Sequence, residues 1–229
     1  MTRLKLLCAA LVAFCGLLAV GATAQGARNW ITAVTATPTL GHRIGNPAAK
    51  VKLTEYISYT CPHCAAFTRE GEGPLELGYV APGKVSLEIR HLLRDPIDAV
   101  AAQLVTCAPA AKFLPIHKDL FATQGTWAQP MVSPSAAQLA RWRTPGAAGR
   151  RSIAADFKFY DLMERHGIGR AEADRCLNNQ ALAQKLADTS QKDWRQPGVE
   201  GTPTFAIDGV ILAGTATWDV LQRQLAARF

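Results

Sequence analysis

The chain has 229 residues, a formal net charge of +7 and 48% hydrophobic residues, which is enough for a sizeable core. Its positive charge is dispersed along the chain and forms no block of like charges. This pattern does not indicate a nucleic-acid-binding protein, and no nucleic-acid partner is expected.

The N-terminal segment, residues 1–24, has the order of a secretory signal peptide. Two basic residues precede an apolar run over residues 6–20, and small residues follow up to Ala24. The run is shorter than the roughly 20 residues that span a bilayer, although an uncleaved anchor is an alternative. We expect a mature protein that begins near Gln25 and is exported to the periplasm, an oxidising compartment in which disulfides persist.

A β-α-β unit is predicted next. Residues 51–57 alternate between apolar and polar types and predict a strand. A helix should begin at Cys61-Pro62, because proline is favoured in the first helical turn, and should end before Gly71. Residues 84–92 predict the second strand. Gly41 to Asn46, before this unit, is interpreted as an ordinary turn.

The rest of the chain divides into a helical stretch and a second group of strands. Residues 96–195 have helical spacing interrupted by prolines, with an exposed loop expected over residues 146–151. Asp208-Gly209 predicts a hairpin between strands 204–207 and 210–213, and Thr217 should cap a helix over residues 218–228.

This order predicts an α/β protein with a thioredoxin-like fold and an inserted all-helical domain. The thioredoxin-like domain comprises residues 25–95 and 196–229, and the insertion comprises residues 96–195.

Cys61 and Cys64 enclose Pro62 and His63, and four kinds of site have this spacing. A c-type haem anchor requires histidine at position 65, where this chain has alanine. A zinc site requires four ligands, usually with a second close pair. A structural disulfide across so short a loop would stabilise the fold only weakly.

A redox centre fits best. A helix N-terminus lowers the pKa of a cysteine placed there and favours the reactive thiolate of Cys61. His63 is expected to support that thiolate if it faces the sulfur. Cys64, one turn further into the helix, would be the resolving thiol.

The Cys-Pro-His-Cys motif, Thr202-Pro203 before a strand and the helical insertion together resemble the DsbA-like family of periplasmic thiol:disulfide interchange proteins. The resemblance covers residues 42–229. It implies that Cys61 reacts with substrate and that Cys64 resolves the mixed disulfide. It also implies that Pro203 is a cis-proline facing the two cysteines.

Two further residues follow from the same resemblance. The backbone of Thr202 would pair with an extended substrate, and Glu55 would be the buried acid that exchanges a proton with Cys64. Oxidases of the family tend to carry valine before the cis-proline, whereas threonine is familiar in isomerase relatives. Thr202 therefore leaves the direction of the redox chemistry open.

Cys107 and Cys176 both lie in the insertion. In an oxidising compartment a structural disulfide between them is favoured, with two separate buried thiols as the alternative. The histidines at positions 42, 91, 117 and 166 share no ligand spacing, so no metal site and no cofactor are expected.

The sequence thus predicts an exported oxidoreductase that donates its Cys61–Cys64 disulfide to reduced or unfolded secreted proteins and is recycled by a membrane redox partner. A monomer is expected, since too few residues precede residue 51 to form a folded dimerisation arm. An isomerase or reductase kept reduced by a membrane partner is the enzymatic alternative. A holdase in which the cysteines are incidental is the non-enzymatic one.

Overall fold

The computed structural model describes residues 29–229, and the expected signal peptide lies outside them. Six strands form one sheet: β1 (Val34–Ala36), β2 (His42–Gly45), β3 (Val51–Ile57), β4 (Val85–His91), β5 (Thr204–Ile207) and β6 (Val210–Ile211). Their order across the sheet is β1-β2-β4-β3-β5-β6. β3 and β4 are parallel, and the other neighbouring pairs are antiparallel.

The helices surround this sheet. They are α1 (Pro62–Phe67), α2 (Gly73–Leu75), α3 (Pro96–Cys107), α4 (Phe113–Ala122), α5 (Gln124–Trp127), α6 (Ala136–Trp142), α7 (Gly146–Asp156), α8 (Phe159–Arg165), α9 (Arg170–Asn178), α10 (Gln180–Trp194) and α11 (Trp218–Ala226). Within residues 29–229, no helix combines the length and the apolar character needed to cross a membrane.

The register of the central strands decides which side chains face the active-site helix. Ile57 of β3 lies opposite His91 of β4, and Glu55 lies opposite Ile89. Because side chains alternate along a strand, Glu55 and His91 lie on the same face of the sheet. Tyr56 lies on the other face, beside Arg90.

The helix that begins at Pro62 is longer than predicted. The expectation that it ends before Gly71 was wrong, because π-helical segments at Thr68–Glu72 and Glu76–Val80 flank α2 and continue it. Gly71 serves close packing and does not break the helix: a Cβ there would lie 2.9 Å from the Phe67 ring and 2.9 Å from Trp218 Cβ. Proline disrupts an α-helix interior, and here the π segments lie on both sides of Pro74.

Two other glycine-containing segments also differ from prediction. Gly41 to Asn46 is not merely a turn, since His42–Gly45 forms β2 and pairs with β4. Residues 146–151 begin α7 and are not a loop, because Ile153 and Ala154 of that helix are buried in the core. Both Gly41 and Gly149 lie so close to backbone carbonyl oxygens, of Ile89 and Thr144 respectively, that a side chain would clash.

The C-terminal elements follow the prediction closely. Asp208 and Gly209 both have positive φ and form the two-residue turn between β5 and β6. The second strand is shorter than expected. α11 begins directly after Thr217, but the hydroxyl of Thr217 makes no capping hydrogen bond.

Residues 96–195 contain helices and no strand of the sheet. One cluster of buried side chains nevertheless runs from the sheet into these helices, including Leu53 and Ile89 on the sheet and Phe113 and Phe157 on the insertion. The insertion therefore shares a hydrophobic core with the sheet. The division of the chain at residues 96 and 195 stays a prediction.

Cys107 at the end of α3 and Cys176 in α9 form a disulfide, with their Cα atoms 6.0 Å apart. The bond joins two helices of the insertion across 69 positions of sequence. It lies in the part of the chain that carries neither Cys61 nor Cys64.

We expect the double variant Cys107→Ala/Cys176→Ala to have a lower free energy of unfolding, by up to about 4 kcal/mol, because the unfolded chain regains the entropy of an open loop. Urea denaturation measures this change. The rate at which Cys61 is alkylated in the reduced protein is the control, and it should be the same in the variant and in the parent protein. Equal urea midpoints for the variant and the parent protein would contradict the prediction.

Candidate active site

The turn between β3 and α1 carries the first cysteine and is held by the insertion. The backbone N–H of Tyr59 donates to Asp98 Oδ1 at 2.8 Å, and Thr60 Oγ1 donates to Asp95 Oδ2 at 2.6 Å. Gln124 Nε2 donates to the carbonyl oxygens of Tyr59 and Cys61 at 2.7 and 3.0 Å. Sequence reasoning missed these three polar residues, because they lie 35 or more positions after the turn that they hold.

Cys61 occupies the N-cap of α1 and Pro62 its first turn, so the sulfur lies where backbone N–H groups have no helical partner. Both cysteines are buried and both are free thiols. Cys61 Sγ donates a hydrogen bond to the carbonyl oxygen of Thr202 at 3.1 Å. The Thr202–Pro203 peptide bond is cis, which places the backbone of this loop against the sulfur.

The pKa of Cys61 is lowered to about 5. The largest cause is the hydrogen bond from the Cys64 thiol, which outweighs the opposing effect of burial. The hydroxyl of Thr202 and the backbone N–H groups of Cys64 and His63 also lower the pKa. In the thiol form Thr202 Oγ1 has no hydrogen-bond partner among the described residues.

His63 therefore supports the thiolate differently from the expectation. Its contribution comes from the backbone N–H at the helix N-terminus, and its ring is exposed. The ring lines a cleft of about 230 Å³ together with Phe67, Glu70 and Thr202. Thr202, the residue before the cis-proline, contributes to one wall of this cleft.

Cys64 has the opposite electrostatic environment. Burial raises its pKa well above the ordinary value, and hydrogen bonding to Cys61 and the charge of Glu55 raise it further. The two sulfurs are one helical turn apart, yet one favours the thiolate and the other the thiol. This asymmetry suits a nucleophile and a resolving thiol.

Glu55 is buried and acts electrostatically on Cys64. Burial raises the pKa of this carboxyl well above its usual range, and the nearby carboxyl of Glu72 raises it further. Glu72 belongs to the π segment that continues α1 and was not singled out from the sequence. The glycines around it indicated a helix break and gave no signal of a buried acid.

The structure also brings together histidines that are far apart in sequence. His117 of α4 lies beside Tyr59, and His91 of β4 contacts the same tyrosine ring. His42 of β2 stacks on Phe113. All three histidines are buried, whereas His166 lies elsewhere, next to Asp119. Within residues 29–229, no group of histidine, cysteine and acidic side chains is arranged to hold a metal ion.

The order of the elements and the site can be compared with known proteins. Residues 37–227 match the family model described as Thioredoxin. The chain belongs to the thioredoxin family. The predicted thioredoxin-like α/β fold with inserted helices is confirmed, and the resemblance to DsbA-like proteins is confirmed for the fold.

Two solved structures resemble this thioredoxin-family chain over most of its length. The crystal structure of a protein-disulfide isomerase from Novosphingobium aromaticivorans is 46% identical, with a TM-score of 0.78, and the match covers 82% of this chain and 96% of that one. Alpha-DsbA1 of Wolbachia pipientis is 21% identical, with a TM-score of 0.61 and coverage of 82% and 89%. At that identity the likeness to alpha-DsbA1 shows the fold alone.

A Rickettsia typhi protein named "Putative protein-disulfide oxidoreductase" is 26% identical to this thioredoxin-family chain over 168 residues. The match covers 73% of this chain and 54% of that protein. The chain thus spans about half the length of the curated relatives that it matches.

We expect the thiolate of Cys61 to form as the pH rises through about 5 in the reduced protein. Thiolate absorbance measured against pH tests this, and the variant Cys61→Ser is the control that should lack the step. A Cys61 thiol that titrates near the ordinary cysteine pKa of about 8.5 would contradict the assignment.

The same shift predicts a pH dependence of stability. The folded pKa of Cys61 lies below the unfolded one, so ionisation stabilises the reduced folded protein fully above about pH 8.5. That stabilisation is lost as the pH falls toward about 5. The oxidised protein has no such group, so the difference in unfolding midpoint between the two redox forms should change over this range and level off below it.

Proposed function

We propose that this chain is a thiol:disulfide oxidoreductase that donates the Cys61–Cys64 disulfide to reduced secreted proteins. The observation that carries the proposal is the asymmetry of the two sulfurs, since hydrogen bonds lower the pKa of Cys61 to about 5 against the effect of burial, whereas burial raises the pKa of Cys64. A protein that stabilises its own thiolate favours its reduced form and therefore oxidises other thiols.

The proposed reaction proceeds in two exchanges. A substrate thiolate attacks Cys61 Sγ, the Cys61–Cys64 bond breaks, and Cys64 leaves as a thiolate that takes up a proton. A second substrate thiolate then attacks the substrate sulfur of the mixed disulfide and releases the Cys61 thiolate. The substrate loses two electrons as its disulfide forms, and the protein gains them as two reduced sulfurs.

Glu55 is the group that we propose for the proton exchange at Cys64. It is buried on the sheet face beneath α1, and burial raises the pKa of its carboxyl well above the usual range, which favours the protonated form. A protonated Glu55 can give its proton to the leaving Cys64 thiolate. In the reverse direction, ionised Glu55 can take the proton from Cys64 when that thiol must attack.

Substrate would bind in extended form along the loop before β5. The cleft lined by the His63 ring and a second cleft of about 280 Å³, whose lining residues lie within 198–204 and 212–216, share Thr202 and Ala216. We infer that backbone groups near Thr202 pair with the substrate chain as an added strand. A membrane redox partner would reoxidise the two thiols, and the chain would act in the periplasm as a monomer.

An isomerase or reductase is the second candidate. Two observations favour it: threonine precedes Pro203, and the 46% identical structure is described as a protein-disulfide isomerase. The two candidates share the dithiol chemistry and differ in which redox form prevails in the cell.

The reduction potential separates these candidates. Each unit by which the pKa of Cys61 lies below 7 raises the reduction potential of the Cys61–Cys64 pair at pH 7 by about 30 mV. A pKa near 5 therefore raises this potential by about 60 mV. We expect equilibration with glutathione at pH 7 to give a value clearly above the roughly −270 mV of thioredoxin. A value at or below that of thioredoxin would favour the reductase.

Variants of the two cysteines test the assignment of roles. Cys64→Ala should trap reducible mixed disulfides through Cys61 with secreted proteins, because no thiol remains to resolve them. Cys61→Ala is the matched control and should trap few, because the buried Cys64 is a thiol at neutral pH. Non-reducing gels of exported proteins show the adducts, and adducts formed mainly by Cys61→Ala would reverse the roles.

A further inference from the structure

Five buried titratable side chains form a layer between the sheet and the helices that cover it. We call Glu55, Tyr59, Glu72, His91 and His117 the buried polar layer. They come from β3, the turn before α1, the π segment after α1, β4 and α4. Each of the five side chains is at most 6% exposed. The proposed exchange at the cysteines uses only Glu55, and the role of the others is open.

Glu72 is the buried acid of this layer that has an oxygen without a hydrogen-bond partner among the described residues. Its Oε1 atom lies 3.6 Å from His117 Nε2, which is too long for a hydrogen bond, and has no hydrogen-bond partner among the described residues. The other nitrogen of the His117 ring, Nδ1, forms a hydrogen bond with the Tyr59 hydroxyl at 3.2 Å, and this bond fixes the orientation of the ring.

The groups that face Glu72 do not supply a counter-charge in the interior. Burial lowers the pKa of His117 to about 3 and that of His91 to about 3, and that of His42 behind them to about 4, so all three are neutral at pH 7. Lys118 of α4 is the cation that acts on Glu72, but its ammonium group binds Glu76 at 2.6 Å. α11, which also packs on this segment, places Trp218 beside Gly71.

A carboxyl in these surroundings keeps its proton. Burial raises the pKa of Glu72 to about 8, and the charge of Glu76 adds to the effect. Glu72 and Glu55 also repel each other when ionised, and the charge of Glu72 raises the pKa of Glu55. Two carboxyls coupled in this way cannot both ionise easily, so the second proton is held to a higher pH than either group alone would hold it.

We propose that Glu72 is a positioning residue of the dithiol site, which acts through Glu55 and keeps that carboxyl protonated so that it can donate to the Cys64 thiolate. The inference rests on the proposed function and deepens it. Glu72 does not touch the sulfurs in this scheme. Above about pH 8, where Glu72 itself ionises, its negative charge opposes the ionisation of Glu55 and so raises the pH at which Glu55 loses the proton that Cys64 needs.

The test follows the reduction of the Cys61–Cys64 disulfide by dithiothreitol, with the rate expressed per dithiothreitol thiolate, over a range of pH. The rate of the unmodified protein should fall at high pH, because ionised Glu55 no longer donates a proton and its charge disfavours the Cys64 thiolate. In Glu72→Gln this fall should move toward lower pH by roughly one unit, the size of effect that a nearby like charge exerts.

A double-mutant cycle distinguishes an effect through Glu55 from a general one. Glu55→Gln should remove the fall, and Glu55→Gln/Glu72→Gln should have the same pH profile as Glu55→Gln alone. Asp193→Asn is the matched control, since Asp193 is a buried carboxyl bound to Arg90 at 2.7 Å, beside Tyr56 on the opposite sheet face. It should lower stability and leave the profile in place.

Each outcome decides the matter. If Glu72→Gln folds and its reduction rate falls at the same pH as in the unmodified protein, the role of Glu72 is overturned and the proposed function stands. The same conclusion follows if Glu72→Gln shifts this fall equally with and without Glu55. Absence of any exchange with the unmodified protein would overturn the proposed function with it.

Infrared spectra of the unmodified protein and its variants with ¹³C-labelled glutamate decide the question independently, and Glu55→Gln alone suffices as the variant if Glu72→Gln does not fold. Two neutral buried carboxyls should be present at pH 7 and should ionise in two separate steps. One of the two steps should be missing in Glu55→Gln and the other in Glu72→Gln. The absence of neutral-carboxyl bands that these variants remove would overturn the proposal.

Discussion

The position of Cys61 at the N-terminus of α1 is the constraint on which the rest of the site depends. A sulfur that is only 2% exposed would ordinarily remain a thiol, because burial opposes its charge. Donors must therefore converge on it from several elements. The turn that presents Cys61 is in turn fixed by Asp98 and Gln124 of the inserted helices. The insertion thus determines the geometry of the reactive sulfur as well as covering the sheet.

The features that could be predicted from the sequence are those that depend on residues adjacent to one another in the chain. The alternation of β3, the proline after Cys61 and the Asp208-Gly209 turn each depend on local backbone preferences, and each appears at the expected position. Glycine misled the prediction at Gly41, Gly71 and Gly149. A glycine looks the same in the sequence whether it ends a helix or strand or allows two elements to approach closely. At these three positions the glycine allows a close approach.

The polar groups of the site could not be predicted for a different reason. Glu72 and His117 lie 45 positions apart and meet only because α4 packs on the helix that continues α1. Neither has a motif around it. A buried carboxyl beside a buried histidine follows from tertiary packing, and only the resemblance to DsbA-like proteins pointed to any acid at all, namely Glu55.

Burial shifts the pKa values of the acids and bases of this layer in opposite directions, and in each case it favours the neutral form. It raises the pKa values of Glu55 and Glu72 and lowers those of His91 and His117. The first charge that the reduced site can carry is therefore the Cys61 thiolate at the helix N-terminus. A second charge on Cys64 would form in low-dielectric surroundings beside the like charge of the Cys61 thiolate, which makes the protonation of Cys64 part of the reaction. The order of events at the two sulfurs then follows from where each lies relative to the buried polar layer.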